Sequence, residues 1–377
     1  MKEIGIYVHI PFCKSKCYYC DFTSFANKET MICDYVECLI KEIKNKASSN
    51  YYVKTIFIGG GTPSFIDFCY IEKIIETINK NYCVDKNAEI TIEVNPGSAN
   101  KEKLESYLKS GINRLSIGLQ SANNELLKKI GRIHKYEDYE KTIELAKKVG
   151  FHNINTDIII GLPDQTIYDV EDTINKIISL DIQHISMYSL IVEEGTRMDQ
   201  LIDSGKYILP DEEIERYMYW FAKRKLEDNG FEQYEISNFA KPGYFSRHNT
   251  DCWKQKEYLG FGAAASSYMD KKRFTNIQCL ENYIKNINLN KFENNVQIEE
   301  EQDEKNQMNE YVILGLRKIK GISFREFDKK FGKKFLDEYK NEVEKLLKEG
   351  LVDIDVDSIR LSKKGLDLAN IVWEEFI

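Results

Sequence analysis

Residues 3–10 alternate in character, with Ile4, Ile6, Val8 and Ile10 on one side and Tyr7 and His9 on the other, the two-residue period of a β-strand. Short β-type runs recur at 54–59, 88–94, 113–118, 153–160 and 183–190. Between them the spacing becomes helical: 70–80 brings Ile71, Ile74, Ile75 and Ile78 to one face, and 136–149 stops at Gly150. Six strands alternating with helices predict an α/β fold with a parallel sheet. An open doubly wound sheet and a partial barrel both satisfy that count. Polar and glycine-rich residues gather at the C-terminal ends of several strands, where barrel enzymes keep their chemistry, which favours a partial TIM-type (β/α)6 barrel.

Near residue 295 the pattern changes. Residues 309–317, 323–331 and 335–349 read as helices, a β pair follows in LVDIDVDSIRLS, and a last helix starts from 362. This predicts a small C-terminal winged-helix-like α+β domain. The chain then divides into a barrel over 1–235, a connecting segment over 236–295 and the appended domain over 296–377. Winged helices often serve on DNA, but residues 301–377 hold 15 Lys plus Arg against 17 Asp plus Glu, and the whole chain carries a formal charge of -8. Without a phosphate-seeking field, no nucleic acid is expected and a covering or docking role is.

Apolar residues make up 42% of the 377, ample for one large core and one small one. No stretch approaches the roughly 20 apolar residues that would span a bilayer, and the first thirty residues lack the apolar run of a signal peptide. Cys33, Cys38, Cys69, Cys83, Cys252 and Cys279 are scattered without framework spacing, so a reducing compartment, the cytoplasm, is expected.

The other three cysteines, Cys13, Cys17 and Cys20, fall within eight residues in HIPFCKSKCYYCDF. Three thiolates at that spacing suit a cuboidal 4Fe–4S cluster, holding three irons and leaving the fourth open to a ligand. Structural zinc and idle thiols are the competing readings, but zinc needs four closed ligands, usually as two pairs, and no second pair follows. After the second strand come Gly59, Gly60, Gly61 and Thr62, where missing Cβ atoms let a ligand approach the backbone. Glu93 and Asn95 end the third strand and Gln120 the fourth. Asp157 sits inside the apolar fifth strand and needs a partner, either Arg132 in a structural ion pair or the hydroxyls and amine of a ligand. Taken singly each polar residue reads as structural; together, beside the cysteine loop, they outline one pocket for a polar small molecule.

With C-x3-C-x2-C after a first strand and GGGTP after a second, the chain resembles the radical S-adenosylmethionine superfamily, in which methionine chelates the open iron and the reduced cluster cleaves the sulfonium. The longer string YVHIPFC, CDF, GGGTPS, EVNPG, NRLSIGLQS, GRIH, DIIIGLP and SNFAKPG resembles the HemW-type heme chaperones and their relatives, the oxygen-independent coproporphyrinogen III oxidases. The similarity runs over nearly the whole chain. It implies that Cys13, Cys17 and Cys20 bind the cluster, that Tyr7 and Tyr19 flank it, and that Gly60, Gly61 and Thr62 meet the methionine amino end of S-adenosylmethionine. Glu93, Gln120, Arg132 and Asp157 match the remaining positions of that pocket.

The oxidases carry a further cysteine two residues after the last cluster ligand and a long N-terminal arm; here Phe22 follows Asp21, and Cys13 stands only twelve residues from the start. Both departures point to the heme chaperone branch, which typically carries an H-N-x-x-Y-W motif tied to heme binding. This chain reads HNTDCW, with His248, Asn249 and Trp253 in place and Cys252 where tyrosine is usual. His248 and Cys252 both remain candidates for the axial ligand of heme, with Trp253 expected on the porphyrin; a loop hydrogen bond for His248 and a core position for Trp253 is the plain alternative. His9, His134, His152 and His184 are expected as core or rim residues. The resemblance thus implies heme as cargo, heme-acceptor proteins and an electron donor as partners, a homodimer to be tested, and membrane contact only at the periphery, through acceptors. No catalytic residue is assigned. Radical decarboxylation of coproporphyrinogen III, and a non-enzymatic barrel with structural metal only, stand as the alternatives.

Overall fold

The computed structural model describes residues 1–377. Six parallel strands lie side by side in chain order: β1 (Lys2–Ile10), β2 (Tyr51–Gly60), β3 (Cys83–Val94), β4 (Arg114–Gln120), β5 (Ile154–Ile160) and β6 (His184–Ser189). Each predicted strand is present and most are longer than the apolar run that announced them. The crossover helices include Ile32–Asn45, Phe68–Asn81, Lys101–Lys109, Tyr136–Val149 and Ile167–Ser179, all on one side as repeated right-handed crossovers require. Helix Tyr136–Val149 ends as its sequence predicts, with Gly150 at φ +117, a left-handed cap that a side chain would strain.

The two faces of the sheet differ in chemistry. Ile56, Ile58, Ile92, Leu115, Ile117 and Ile154 belong to a single core of 57 buried residues under the helices. The alternate positions face inward and are polar: Thr55, Glu89, Arg114, Ser116, Asn155 and Ser186 are all buried. Strands covered on both sides are normally apolar on both, so this inner face signals a function beyond packing.

The sheet does not close. β7 (Glu232–Glu235) and β8 (Asn238–Ala240) add antiparallel strands beyond β6. At the other edge β9 (Tyr258–Phe261) runs parallel to β1, and β10 (Ser266–Met269), β11 (Lys272–Asn276) and β12 (Val296–Glu301) continue the same twelve-stranded sheet. The partial-barrel expectation therefore holds in an open form. Residues 236–295 supply strands to this sheet, where the sequence suggested only a connection; strands of three to five residues are too short to show a period.

The C-terminal part has its own core of 17 buried residues around Phe327. Helices Glu304–Leu316, Phe324–Phe331 and Lys340–Lys348 pack on a small antiparallel sheet of β13 (Ile322–Ser323), β14 (Val352–Ile354) and β15 (Ser358–Leu361). The helix expected over 335–349 is broken at Tyr339 (φ -121), whose buried hydroxyl donates to Asn309 Oδ1 at 2.8 Å. The last helix breaks likewise at Leu368. This body docks through Ile236 N to Arg317 O (3.0 Å) and Ile319 N to Tyr234 O (3.1 Å), and the Arg317 guanidinium lies 4.5 Å from the ring centre of Trp253 and 5.1 Å from that of Trp373. No helix is long and apolar enough to cross a membrane.

Phe327→Ala would empty the centre of the small core, and a loss of about 3–5 kcal/mol is expected, read as a lowered denaturation midpoint.

Candidate functional site

The loop after β1 is pinned at its base and its tip. Phe25 N donates to Pro11 O (2.7 Å) and Cys13 N to Phe25 O (3.0 Å), while Tyr18 N bonds Ile130 O and Met198 N bonds Tyr18 O. His9 Nε2 donates to Thr23 O at 2.8 Å, which leaves Nδ1 to accept from the Tyr7 hydroxyl at 2.9 Å. Burial lowers the His9 pKa and keeps the ring neutral, as that pairing requires. Along this loop Thr62 Oγ1 reaches Cys13 Sγ at 3.4 Å, Arg132 Nη1 reaches Cys17 Sγ at 3.5 Å, and Ser24 Oγ lies 4.0 Å from Cys20 Sγ. Burial raises the Cys13 and Cys20 thiols. Three thiols leave a structural zinc one ligand short, whereas a cuboidal cluster takes one thiolate at each of three irons.

Cys13, Cys17, Cys20 and Tyr19 line the mouth of a cavity of about 490 Å³ that runs down the inner face of the sheet. Glycines shape its wall. A Cβ on Gly61 would stand 3.0 Å from Cys13 Sγ and 2.9 Å from Phe12 O, and one on Gly60 (φ +113) would stand 2.5 Å from the His9 ring. Glu93 Oε2 accepts from Gly60 N at 3.0 Å; burial, then the nearby Asp157, pushes its carboxyl up to about 8. Gln120 is held at φ +72, where the register shifts between Gly118 and Gln120, a strained bulge that re-aims its side chain into the cavity.

Of the two partners open to Asp157, the ion pair with Arg132 does not form. Asp157 accepts from Asn155 Nδ2 at 2.7 Å and Ser116 Oγ at 3.4 Å, and burial raises its pKa. Arg132 instead spans Asn95 Oδ1 (3.0 Å), Gly118 O and Cys17, tying β3, β4 and the cysteine loop together. The cavity thus gathers Cys13, Cys17, Cys20, Tyr19, Gly60, Gly61, Thr62, Glu93, Gln120, Arg132 and Asp157. It also exposes what attention to strand ends passed over, the deeper positions Arg114, Ser116, Asn155 and Ser186. Their signal was present: a charged or polar residue at every second place in three apolar strands.

Tyr7, His248 and Cys252 lie elsewhere, in a second cavity of about 430 Å³ that shares Asp21 and Phe22 with the first. Tyr7 also supports the cysteine loop, through His9 and Thr23. Helix Arg247–Trp253 is seated by Glu89, whose carboxylate accepts from Arg247 N and His248 N, both at 3.0 Å. His248 Nδ1 lies 2.9 Å from Thr55 Oγ1, and burial, then the charge of Arg114, lowers its pKa to about 4. Cys252 follows one turn later on the same face, its thiol pushed up to about 12 by burial. Trp253 turns away from this cavity, onto Arg317, because its position on the helix faces the docked C-terminal body.

Comparison with known proteins agrees with this layout. A family profile described as the radical SAM superfamily matches residues 7–177, and one described as the HemN C-terminal domain matches residues 302–368. The chain is 37% identical over 374 residues to the heme chaperone HemW of Bacillus subtilis, covering 98% of each chain. It is also 37% identical over 268 residues to that of Escherichia coli, covering 70% of each. The solved structure of the coproporphyrinogen III oxidase HemN from Escherichia coli superposes with a TM-score of 0.86 over 100% of this chain and 90% of that one, at 23% identity, a likeness of fold.

A carboxyl whose folded pKa is raised holds a proton that the unfolded chain has lost, so Glu93 weakens the ligand-free fold as pH rises from about 5 to about 8. Glu93→Gln removes that penalty. Its denaturation midpoint relative to the parent should climb steadily over this range, and a constant offset would contradict the assignment.

Proposed function

The chain belongs to the HemW heme chaperone family of the radical SAM superfamily, and on that premise we propose that it binds a 4Fe–4S cluster, S-adenosylmethionine and one heme, and passes the heme to acceptor proteins. One observation carries the reading: a cavity lined by three thiols and by polar strand ends adjoins a second cavity that holds a neutral imidazole. Cys13, Cys17 and Cys20 hold the cluster, which when bound and reduced supplies an electron to the sulfonium through its open iron. Glu93 takes the ligand ammonium beside the Gly60 amide. Arg132, with Nε buried and unpartnered, suits the carboxylate, and Asp157 suits ribose hydroxyls.

Heme is the cargo, placed in the second cavity. Pairing of Nδ1 with Thr55 leaves Nε2 of His248 without a protein partner, and the low pKa keeps the ring neutral at neutral pH, so that Nε2 offers a lone pair when Nδ1–H donates to Thr55. Cys252 stays protonated, which favours His248 as the axial ligand. Phe22, 65% exposed, stands at the rim of both cavities where the oxidases carry their extra cysteine, which supports transfer of heme over porphyrinogen decarboxylation.

Serine at Cys13, Cys17 or Cys20 should abolish the iron, the acid-labile sulfide and the brown absorbance of anaerobically reconstituted protein, with Cys69→Ser as an unaffected control. Heme titration should saturate at about one per chain with a Soret band. His248→Ala should shift or remove that band, and Cys252→Ala should keep it. Incubation with reductant, S-adenosylmethionine and coproporphyrinogen III should yield no protoporphyrinogen; its formation would make the protein an oxidase.

A further inference from the structure

Arg114 opens β4 with only 2% of its surface exposed, yet its guanidinium makes no ion pair or hydrogen bond within the chain, and its Nε is buried without a partner. Its neighbours are already committed. Asp157 is engaged by Asn155 and Ser116, and Glu89 by the amides of helix Arg247–Trp253. His184 and His248, whose pKa values Arg114 helps to depress, are neutral. Asp157 feels the charge of Arg114 but closes no ion pair with it, and a buried guanidinium without a direct partner costs several kcal/mol that an arriving anion would offset.

That anion is not the carboxylate of the sulfonium ligand. Arg114 stands six residues before Gln120, ~20 Å along an extended strand, whereas a methionine chelating the open iron must keep its carboxylate beside the cysteine loop. Arg114 lines the first cavity within reach of His248, whose imidazole feels its charge. It shares the floor of the first with Asn249, the residue after His248.

Resting on the heme reading above, we propose that Arg114 receives a propionate carboxylate of the tetrapyrrole cargo, reaching in from an iron held at His248. Asn249 lines the same cavity and offers a further donor to the carboxylate, whereas Asn155 and Ser116 are already spent on Asp157. A guanidinium matches a carboxylate through two parallel hydrogen bonds, and in a site shut off from water that pairing discriminates strongly against an ester.

The test titrates heme and heme dimethyl ester, in one mixed solvent, into the parent protein and Arg114→Met. The parent should bind the diacid about ten- to a hundredfold more tightly than the ester, and in Arg114→Met that ratio should fall to about one. Ligand-free Arg114→Met should also melt higher than the parent, because an unpaired buried charge has been replaced by an apolar side chain of similar length; a merely structural arginine would give the opposite sign. A ratio that survives the substitution, or a parent that does not distinguish acid from ester, overturns the assignment. If free propionate raises the melting temperature of the parent and not of Arg114→Met while acid and ester bind alike, the guanidinium serves a small carboxylate and the assignment also fails. A parent that develops no Soret band with either porphyrin overturns the heme reading itself, an outcome distinct from the others because they all begin with bound heme.

Discussion

A polar group taken out of water must find a partner in the protein or in a ligand, and the inner face of the six-strand sheet is built from such groups. Some are answered within the chain: Asn155 reaches Asp157, Ser186 donates to Asn155 Oδ1, and His184 sits between Asn155 and the Tyr234 hydroxyl. Others are left open, among them the Arg114 guanidinium and the Nε of Arg132. The satisfied groups make the wall rigid, and the open ones define what the cavity is for.

The same economy positions the second cavity. Glu89 belongs to β3 but spends its carboxylate on the first two amides of helix Arg247–Trp253, an anion at the positive end of a helix. This lays His248 over Thr55 and Phe57, with ring centres of His248 and Phe57 5.4 Å apart. The other end of that helix is gripped by Arg317 between two tryptophans, so the C-terminal body is mechanically continuous with the helix that presents His248 and Cys252. This body keeps a core of its own and reaches the site through that one helix end.

The cysteine loop shows how supporting groups outnumber ligands. Tyr7, His9, Thr23 and Pro11 hold the loop by hydrogen bonds that help decide where Cys13 stands. Gly60 and Gly61 are required for the same reason, since a methyl group at either would collide with the His9 ring or with Cys13 and the Phe12 carbonyl.

Periodicity by itself determined the six parallel strands, their helices and the small appended body, because apolar spacing is a local property that burial enforces wherever the chain folds. Spacing also announced Cys13, Cys17 and Cys20, and strand ends announced Glu93, Gln120 and Asp157. Tertiary structure alone decided the rest. It recruited β9 to β12 to the sheet edge, sent Arg132 to Asn95 and Cys17 rather than to Asp157, turned Trp253 toward Arg317, and set Tyr7 with His248 and Cys252 in a cavity of their own. The physical reason is separation along the chain: Thr55 with His248 and Glu89 with Arg247 join residues more than 150 positions apart, and no periodicity read along a strand or a helix encodes which distant side chain will answer a buried charge.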